Sequence, residues 1–261
     1  MTTRFKGEDV TEGLTGAIHE TGHSLYEQQR NLGEEWRDLP VSAAMSMGVH
    51  ESQSLLWERM VALSRPFQSY LLPRLQQAFP QHEALRGRSA EDLYRAMNLV
   101  REPSMVRVEA DEVTYTLHVI LRYEIERGLV NGEIAVGDVP GVWAEKMTAY
   151  LGQAPASDAQ GCLQDVHWSA GAMGYFPTYS LGAMFACQIF ETARAELPGL
   201  DNDIAAGKFS ELKAWLGEKI HCSGSFHVSG DALMEAVTGR PLDPAVYLKY
   251  LTDKYTDIYR L

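Results

Sequence analysis

The chain has 261 residues, of which 45% are hydrophobic and 22% charged, so it can bury a core as one large domain or two small ones. Its formal net charge of −12 argues against a nucleic-acid partner, because phosphate binding requires a basic surface. No apolar run approaches the length of a membrane span, and the N-terminal segment MTTRFKGEDV lacks the apolar core of a signal peptide. The three cysteines are widely spaced and odd in number, which predicts reduced thiols rather than a disulfide framework. We therefore expect a cytoplasmic protein with neither a membrane nor a nucleic-acid partner.

Hydrophobic periodicity and helix stop signals predict a mostly α-helical fold in which β-structure is at most a small element. The predicted helices cover 11–30, 42–63, 111–129, 139–151, 179–197, 210–220, 229–237 and 244–254. A further helix is expected to begin at Ser89, where Ser89-Ala90-Glu91-Asp92 forms a capping box. The strand candidates are 105–108 and 2–5. We expect one helical domain over residues 1–261.

A metal-binding pattern lies in the first predicted helix, as His19-Glu20-Thr21-Gly22-His23. Two histidines four residues apart lie on one face of a helix, about one turn from each other, so both imidazoles can bind one zinc ion. Glu20 is rotated away from the ligand axis, where its carboxylate can take a proton from the attacking water. The pattern is typical of a metallopeptidase, and it predicts His19 and His23 as metal ligands and Glu20 as the catalytic base.

A catalytic zinc site requires a third protein ligand and an open position. The best candidate is Glu51 in the HESQ segment, because an antiparallel second helix could bring it to the first. Glu27 lies one turn beyond His23 on the metal-binding helix and is expected to point along the helix axis. Glu34 and Glu35, in the connecting loop, stay open as alternatives.

Four segments follow one another in the chain: HETGH, HESQSLLWE, VRVEADEVTYTLHVILRYEIE and GCLQDVHWSAGAMGYFPTYSLG. They resemble the carboxypeptidase Taq family of zinc carboxypeptidases, whose motifs are H-E-x-x-H, H-E-S-Q, I-R-x-x-A-D and G-x-x-Q-D-x-H-W. Within these motifs, Val106 replaces the isoleucine of the third. The resemblance extends from Thr2 almost to the C-terminus. It implies Glu51 as the third metal ligand, a helical, zincin-like catalytic half, a peptide substrate and a homodimer.

Two features depart from the related peptidases. Members of the family are roughly twice as long as this chain, which implies that an N-terminal helical half is absent here. Many helical zinc peptidases also place an aspartate four residues after the glutamate ligand to orient a histidine ligand, and this chain has Leu55 there. The acceptor for a histidine ligand is therefore expected elsewhere, with Asp111 and Asp165 as candidates.

A carboxypeptidase requires a group that binds the terminal carboxylate of its substrate. A fixed arginine does so with two parallel hydrogen bonds, and Arg107 stands in the arginine motif of the family. We expect Arg107 to bind the substrate. The alternative is a structural salt bridge between Arg107 and either Glu109 or Asp111.

In related helical zinc peptidases, a histidine followed by two tyrosines holds the substrate carbonyl and the tetrahedral oxyanion. His167, Tyr175 and Tyr179 have a similar spacing in this chain. A phenol or imidazole donor would stabilise the negative charge that develops on the carbonyl oxygen, so we expect all three to be catalytic. The alternative for each is packing in the core.

Together these residues predict a zinc-dependent metallocarboxypeptidase that releases C-terminal amino acids from peptides. Two alternatives stay open. One is a truncated, catalytically weak or inactive metal-binding remnant that self-associates, and the other is a helical zinc oligopeptidase that cuts internal bonds. Zinc is the expected metal, and cobalt is its alternative in a site of two histidines and one glutamate.

Elemental analysis of two variants tests the assignment of Glu51. We expect Glu51→Ala to lose its metal, because two imidazoles alone leave a catalytic zinc site one protein ligand short. Glu35→Ala, which removes a loop alternative, should keep the metal content of the wild type. An unchanged metal content in Glu51→Ala would contradict the assignment.

Overall fold

The computed structural model describes Thr3, residues 10–30 and residues 33–261. Over these ranges the chain forms helices and turns, with no β-strand. The chain divides into two compact units: the first unit comprises Met1–Met97 and Leu181–Leu261, and the second unit comprises Asn98–Ser180. The single domain expected from the sequence stays a prediction. No helix in the described ranges is long and apolar enough to cross a membrane.

The helices follow one another with short connections. In chain order they are α1 (Val10–Gln29), α2 (Met47–Leu55), α3 (Arg65–Ala78), α4 (Ala90–Met97), α5 (Glu112–Val130), α6 (Val139–Leu151), α7 (Pro177–Glu196), α8 (Leu200–Ala206), α9 (Ser210–Lys219), α10 (Gly230–Thr238) and α11 (Pro244–Tyr259). Helix α2 continues without a break as a π-helical segment, Leu56–Ala62.

Most of the predicted helices are confirmed to within a few residues, and α6 has the predicted bounds. The capping box of α4 is also confirmed. The backbone N–H of Asp92 donates to Ser89 Oγ (3.2 Å), and the N–H of Ser89 donates to Asp92 Oδ2 (2.9 Å). The strand candidate at 2–5 lies outside the described residues apart from Thr3.

The predicted helix over 42–63 is wrong at its start. Residues Pro40–Ser42 form a 3₁₀ turn, and α2 begins only after Ser46, whose Oγ accepts the N–H of Val49 (3.1 Å). From the sequence we expect Pro66 to end the helix over 42–63, but Pro66 occupies the first turn of α3, where its missing N–H removes no helical hydrogen bond. Helix α3 is therefore absent from the sequence prediction. The short helix α8 is also absent from it.

The predicted strand at 105–108 is also wrong. This part of the chain bends up to Val106 and then forms a 3₁₀ turn, closed by the N–H of Ala110 donating to the carbonyl of Arg107 (3.1 Å). Val108 is 70% exposed. With no partner strand in the described residues, the β propensity of this segment is not realised, because that propensity depends on packing against neighbouring strands.

The core of the first unit packs α1 against α2 and its π-helical continuation, and Gly22 of α1 lies directly against the backbone of α2. A Cβ atom on Gly22 would lie 2.5 Å from the carbonyl oxygen of Gln53 and 2.6 Å from Cα of Ser54. A Cβ on Gly182 of α7 would lie 2.8 Å from Cβ of Glu51. Both contacts are with atoms that α2 holds in place, so only glycine fits at either position. Helix α2 therefore lies close to α1 at Gly22 and close to α7 at Gly182.

We expect Gly22→Ala to lower the free energy of unfolding by about 1–3 kcal/mol. The overpacking against α2 outweighs the roughly 1 kcal/mol by which alanine is favoured over glycine in a helix. Gly141→Ala in α6 is the control, because an added Cβ there meets no atom within 4 Å and the change should be neutral or stabilising. Urea unfolding measures the free energy of unfolding of both variants and of the wild type. A Gly22→Ala chain as stable as wild type would contradict the close approach.

Candidate metal centre

The two histidines of α1 and Glu51 of α2 converge in the first unit. Nε2 of His19 lies 3.8 Å from Glu51 Oε1, and Nε2 of His23 lies 3.7 Å from Glu51 Oε2. Ligands about 2.1 Å from a tetrahedral zinc ion are about 3.4 Å apart, so small shifts would bring these three donors to one ion. Among the residues that the structure describes, this is the one cluster of three such donors within 4.8 Å of one another.

Glu51 differs from the other candidate third ligands in its surroundings. It is 8% exposed, and α7 packs against it at Gly182. Glu27 is hydrogen-bonded to other side chains of the first unit, and Glu34 and Glu35 are exposed. The structure thus places Glu51, of the four, beside the two imidazoles.

The Nδ1 atom of His19 lies 2.7 Å from Oε2 of Glu58. Burial lowers the pKa of His19, but the hydrogen bond and charge of Glu58, followed by the charges of Glu51 and Glu20, outweigh burial and raise it. Glu20 directly follows His19 on α1 and is half-buried, and its charge is among those that raise the pKa of His19. A carboxylate behind an imidazole ligand fixes the orientation of the ring.

Glu58 corrects the expectation that Asp111 or Asp165 orients a histidine ligand. Oδ1 of Asp111 accepts the backbone N–H groups of Val113 and Thr114 at the start of α5, and Asp165 binds two arginines. The sequence contains a signal for Glu58, since it stands seven residues after Glu51, or about two helical turns on the same face. The π-helical segment that presents it has no comparable signal.

The Nδ1 atom of His23 has a different partner, Nδ1 of His50, at 2.7 Å. Nε2 of His50 in turn lies 2.8 Å from Oε1 of Glu27, and Oε2 of Glu27 accepts from Arg30. Burial, followed by electrostatic interactions with the His19 and His50 imidazoles, lowers the pKa of His23 to about 4. The imidazole of His23 is therefore neutral at neutral pH, as metal binding requires.

The second unit contains a buried cluster around Arg107. The guanidinium donates through Nε and Nη2 to Oδ1 of Asp165 (3.2 and 2.8 Å) and through Nη1 to the hydroxyl of Tyr115 (2.9 Å). Arg122 donates to Oδ2 of the same Asp165 (2.7 Å) and to Oε1 of Gln164 (2.7 Å). The Gln-Asp pair of the fourth motif thus connects two arginines from separate parts of the chain.

Asp165, rather than Glu109 or Asp111, is therefore the ion-pair partner of Arg107. Burial raises the pKa of Asp165, but the charges and hydrogen bonds of Arg122 and Arg107 outweigh burial and lower it. Because one carboxylate faces two guanidinium groups, the three side chains together have one net positive charge.

His167, Tyr175 and Tyr179 lie together in the second unit. Their ring centroids are 5.3 to 5.9 Å apart, and Nε2 of His167 lies 3.0 Å from the hydroxyl of Tyr179. The Arg107 guanidinium carbon lies 4.6 Å from the centroid of Tyr179. Burial, followed by the charge of Arg107, lowers the pKa of His167. The structure thus places all four substrate-handling residues expected from the sequence in one cluster.

The chain matches one family of peptidases over nearly its whole length. The family described as Carboxypeptidase Taq (M32) metallopeptidase matches residues 1–255. Carboxypeptidase 1 of Bacillus subtilis (strain 168) is 41% identical over 261 residues, which is 100% of this chain and 51% of that protein. Thermostable carboxypeptidase 1 of Thermus thermophilus is 43% identical over 259 residues, or 99% of this chain and 49% of that protein. The chain spans about half the length of these curated relatives.

Solved structures give the same result. The M32 carboxypeptidase from Deinococcus radiodurans R1 superposes with a TM-score of 0.93 at 41% identity, covering 100% of this chain and 51% of that one. Trypanosoma cruzi metallocarboxypeptidase 1 gives a TM-score of 0.90 at 43% identity, covering 97% and 52%. The chain belongs to the carboxypeptidase Taq family of metallopeptidases.

Proposed function

We propose that this chain provides the catalytic residues of a zinc-dependent metallocarboxypeptidase that releases C-terminal amino acids from peptides. The observation that supports it best is the convergence of His19, His23 and Glu51, with Glu20 on the same helix. Two imidazoles and one carboxylate are a donor set that suits zinc and leaves a fourth position open. Cobalt would fit the same donors.

A bound zinc ion would polarise the peptide carbonyl and make a water molecule more acidic. Within the first unit, the role that we propose for Glu20 is to accept the proton of the attacking water and deliver it to the leaving amine. Glu51 fills the third ligand position. The fixed orientation of both imidazoles keeps the donors preorganised.

For the second unit we propose recognition of the C-terminal carboxylate and of the scissile carbonyl. The net positive charge of the Arg107–Asp165–Arg122 cluster would attract an anionic group. Hydroxyl or imidazole protons of His167, Tyr175 and Tyr179 would stabilise negative charge on a carbonyl oxygen. The structural pairing of Arg107 with Asp165 supports this role by holding its guanidinium in one place.

A homodimer and a cytoplasmic location also stay predictions. An open apolar groove in the first unit supports self-association; its lining includes Leu14, Ile18 and Leu25 of α1 with Phe67 and Leu71 of α3. All three cysteines are free thiols, as is usual in a reducing compartment.

Glu20→Gln should lower the rate of amino-acid release by about 10²-fold or more while the metal stays bound, because the amide keeps the shape but cannot accept a proton. Glu12→Gln, on the exposed part of the same helix, is the matched control and should keep the wild-type rate. Release is followed by mass spectrometry with the metal content checked in each sample. A fully active Glu20→Gln chain would rule out Glu20 as the base.

Arg107→Lys should weaken binding of free-acid peptides far more than of their C-terminally amidated twins. Hydrogen bonds to charged groups typically contribute about 1.5–3 kcal/mol each, so the loss of one guanidinium contact to the substrate carboxylate should raise KM for the free acid about tenfold or more. Arg122→Lys, which changes the other partner of Asp165, should affect both peptides alike.

The same pair of peptides separates the proposal from the oligopeptidase alternative. Wild-type chain that cuts the amidated twin as fast as the free acid would favour an oligopeptidase. An equal loss on both peptides in Arg107→Lys would mean that Arg107 is structural.

A further inference from the structure

The two imidazoles of the metal centre are supported in different ways. Nδ1 of His19 meets the Glu58 carboxylate directly, whereas Nδ1 of His23 meets a second imidazole, that of His50, and reaches the carboxylate of Glu27 only through it. His50 directly precedes Glu51 in the chain, so one segment of α2 both provides the third donor and contacts the ring of the second. We call the series His23–His50–Glu27 the imidazole relay.

The positions of the protons in the imidazole relay follow from its geometry. Nε2 of His23 faces Glu51 and the metal position, so in a neutral ring that binds metal through Nε2 the proton must be on Nδ1. That N–H can only donate to Nδ1 of His50, which must therefore be without a proton. An imidazole of His50 that has one proton must then have it on Nε2, which lies 2.8 Å from Oε1 of Glu27 and can donate to it. Each of these nitrogens is then either a donor or an acceptor, and the hydrogen bonds of His23, His50 and Glu27 are mutually compatible.

Two further contacts fix the end of the imidazole relay. Arg30 donates to Oε2 of Glu27 and also to the carbonyl oxygen of Ser42, so the carboxylate is held between His50 and Arg30. The ring of His50 packs on Tyr26, with centroids 5.2 Å apart. The side chain of His50 is 16% exposed and that of Glu27 is 44% exposed. The contact of His50 with His23 is therefore less exposed to solvent than its contact with Glu27. Solvent screens the interaction with Glu27 more strongly.

We propose that His50 and Glu27 are positioning residues that fix the tautomer and ring orientation of His23 and thereby set the affinity of the site for its metal. This inference rests on the proposed metallopeptidase site and adds to it a role for the first residue of the HESQ segment. His50 acts directly on His23. Glu27 acts only through His50, so its influence disappears when the imidazole is removed.

The proposal predicts a particular pattern of zinc affinities, measured at one pH by competition with a chromogenic chelator. His50→Phe keeps an aromatic ring against Tyr26 but cannot accept the hydrogen bond from Nδ1 of His23, and it should weaken zinc binding about 10–100-fold. Glu27→Ala should weaken it less, by about fivefold at most, because the carboxylate is half exposed. The double variant should match His50→Phe alone to within about twofold.

Glu58 provides the matched control, since it orients the other imidazole. The effects of Glu58→Ala and His50→Phe should multiply in the double variant, because the two residues act on separate rings. Effects of His50→Phe and Glu27→Ala that multiply, or zinc binding unchanged by His50→Phe, would overturn the proposal. A wild-type chain that binds no zinc would instead contradict the proposed function.

Nitrogen-15 NMR of labelled histidine gives a second measurement that a merely structural role would not change, and it can be made without metal. We expect His50 in the metal-free wild type to be the tautomer protonated at Nε2, and this preference to weaken in Glu27→Ala. A wild-type His50 protonated at Nδ1 would overturn the proposal, whatever the zinc affinities are.

Discussion

The candidate metal centre depends on the close approach of α1 and α2 at Gly22. Gly22 lies between His19 and His23 in the sequence. Because it has no side chain, the backbone of α2 at Gln53 can lie directly against α1 at this point. This contact places the carboxylate of Glu51 within 3.8 Å of both imidazoles. Gly182 of α7 packs against the side chain of Glu51. One residue of the H-E-x-x-H pattern that performs no chemistry therefore determines whether the donors meet.

The polar side chains of the proposed sites are held in place by hydrogen bonds and ion pairs as well as by burial. The imidazoles are oriented by a carboxylate on one side and by the imidazole relay on the other. In the second unit, Asp165 holds Arg107 and Arg122 in the same way, and Arg107 contacts the face of Tyr179. In both units the residues proposed to meet the metal or the substrate are thus held by a second set of side chains. Such preorganisation is what a hydrolytic site requires.

The sequence predicts the groups that depend on local geometry and misses those that depend on distant parts of the chain. The convergence of His19 and His23 was predictable because helical periodicity alone places them on one face. Spacing made Glu51 only the best of several candidates, and the family resemblance singled it out. The pairing of Arg107 with Asp165 has no local signal, so the alternative of a structural salt bridge considered only the nearby Glu109 and Asp111. Helix α3 was hidden because Pro66 can either end a helix or begin one, and only packing distinguishes the two.

X-ray absorption spectroscopy of the zinc-loaded chain tests the central claim most directly. If His19, His23 and Glu51 hold the ion, the spectrum will show zinc with nitrogen and oxygen ligands at about 2.0–2.2 Å, two of them with the outer-shell scattering of imidazole. A sulfur ligand near 2.3 Å, or a first shell without two imidazoles, would contradict the account.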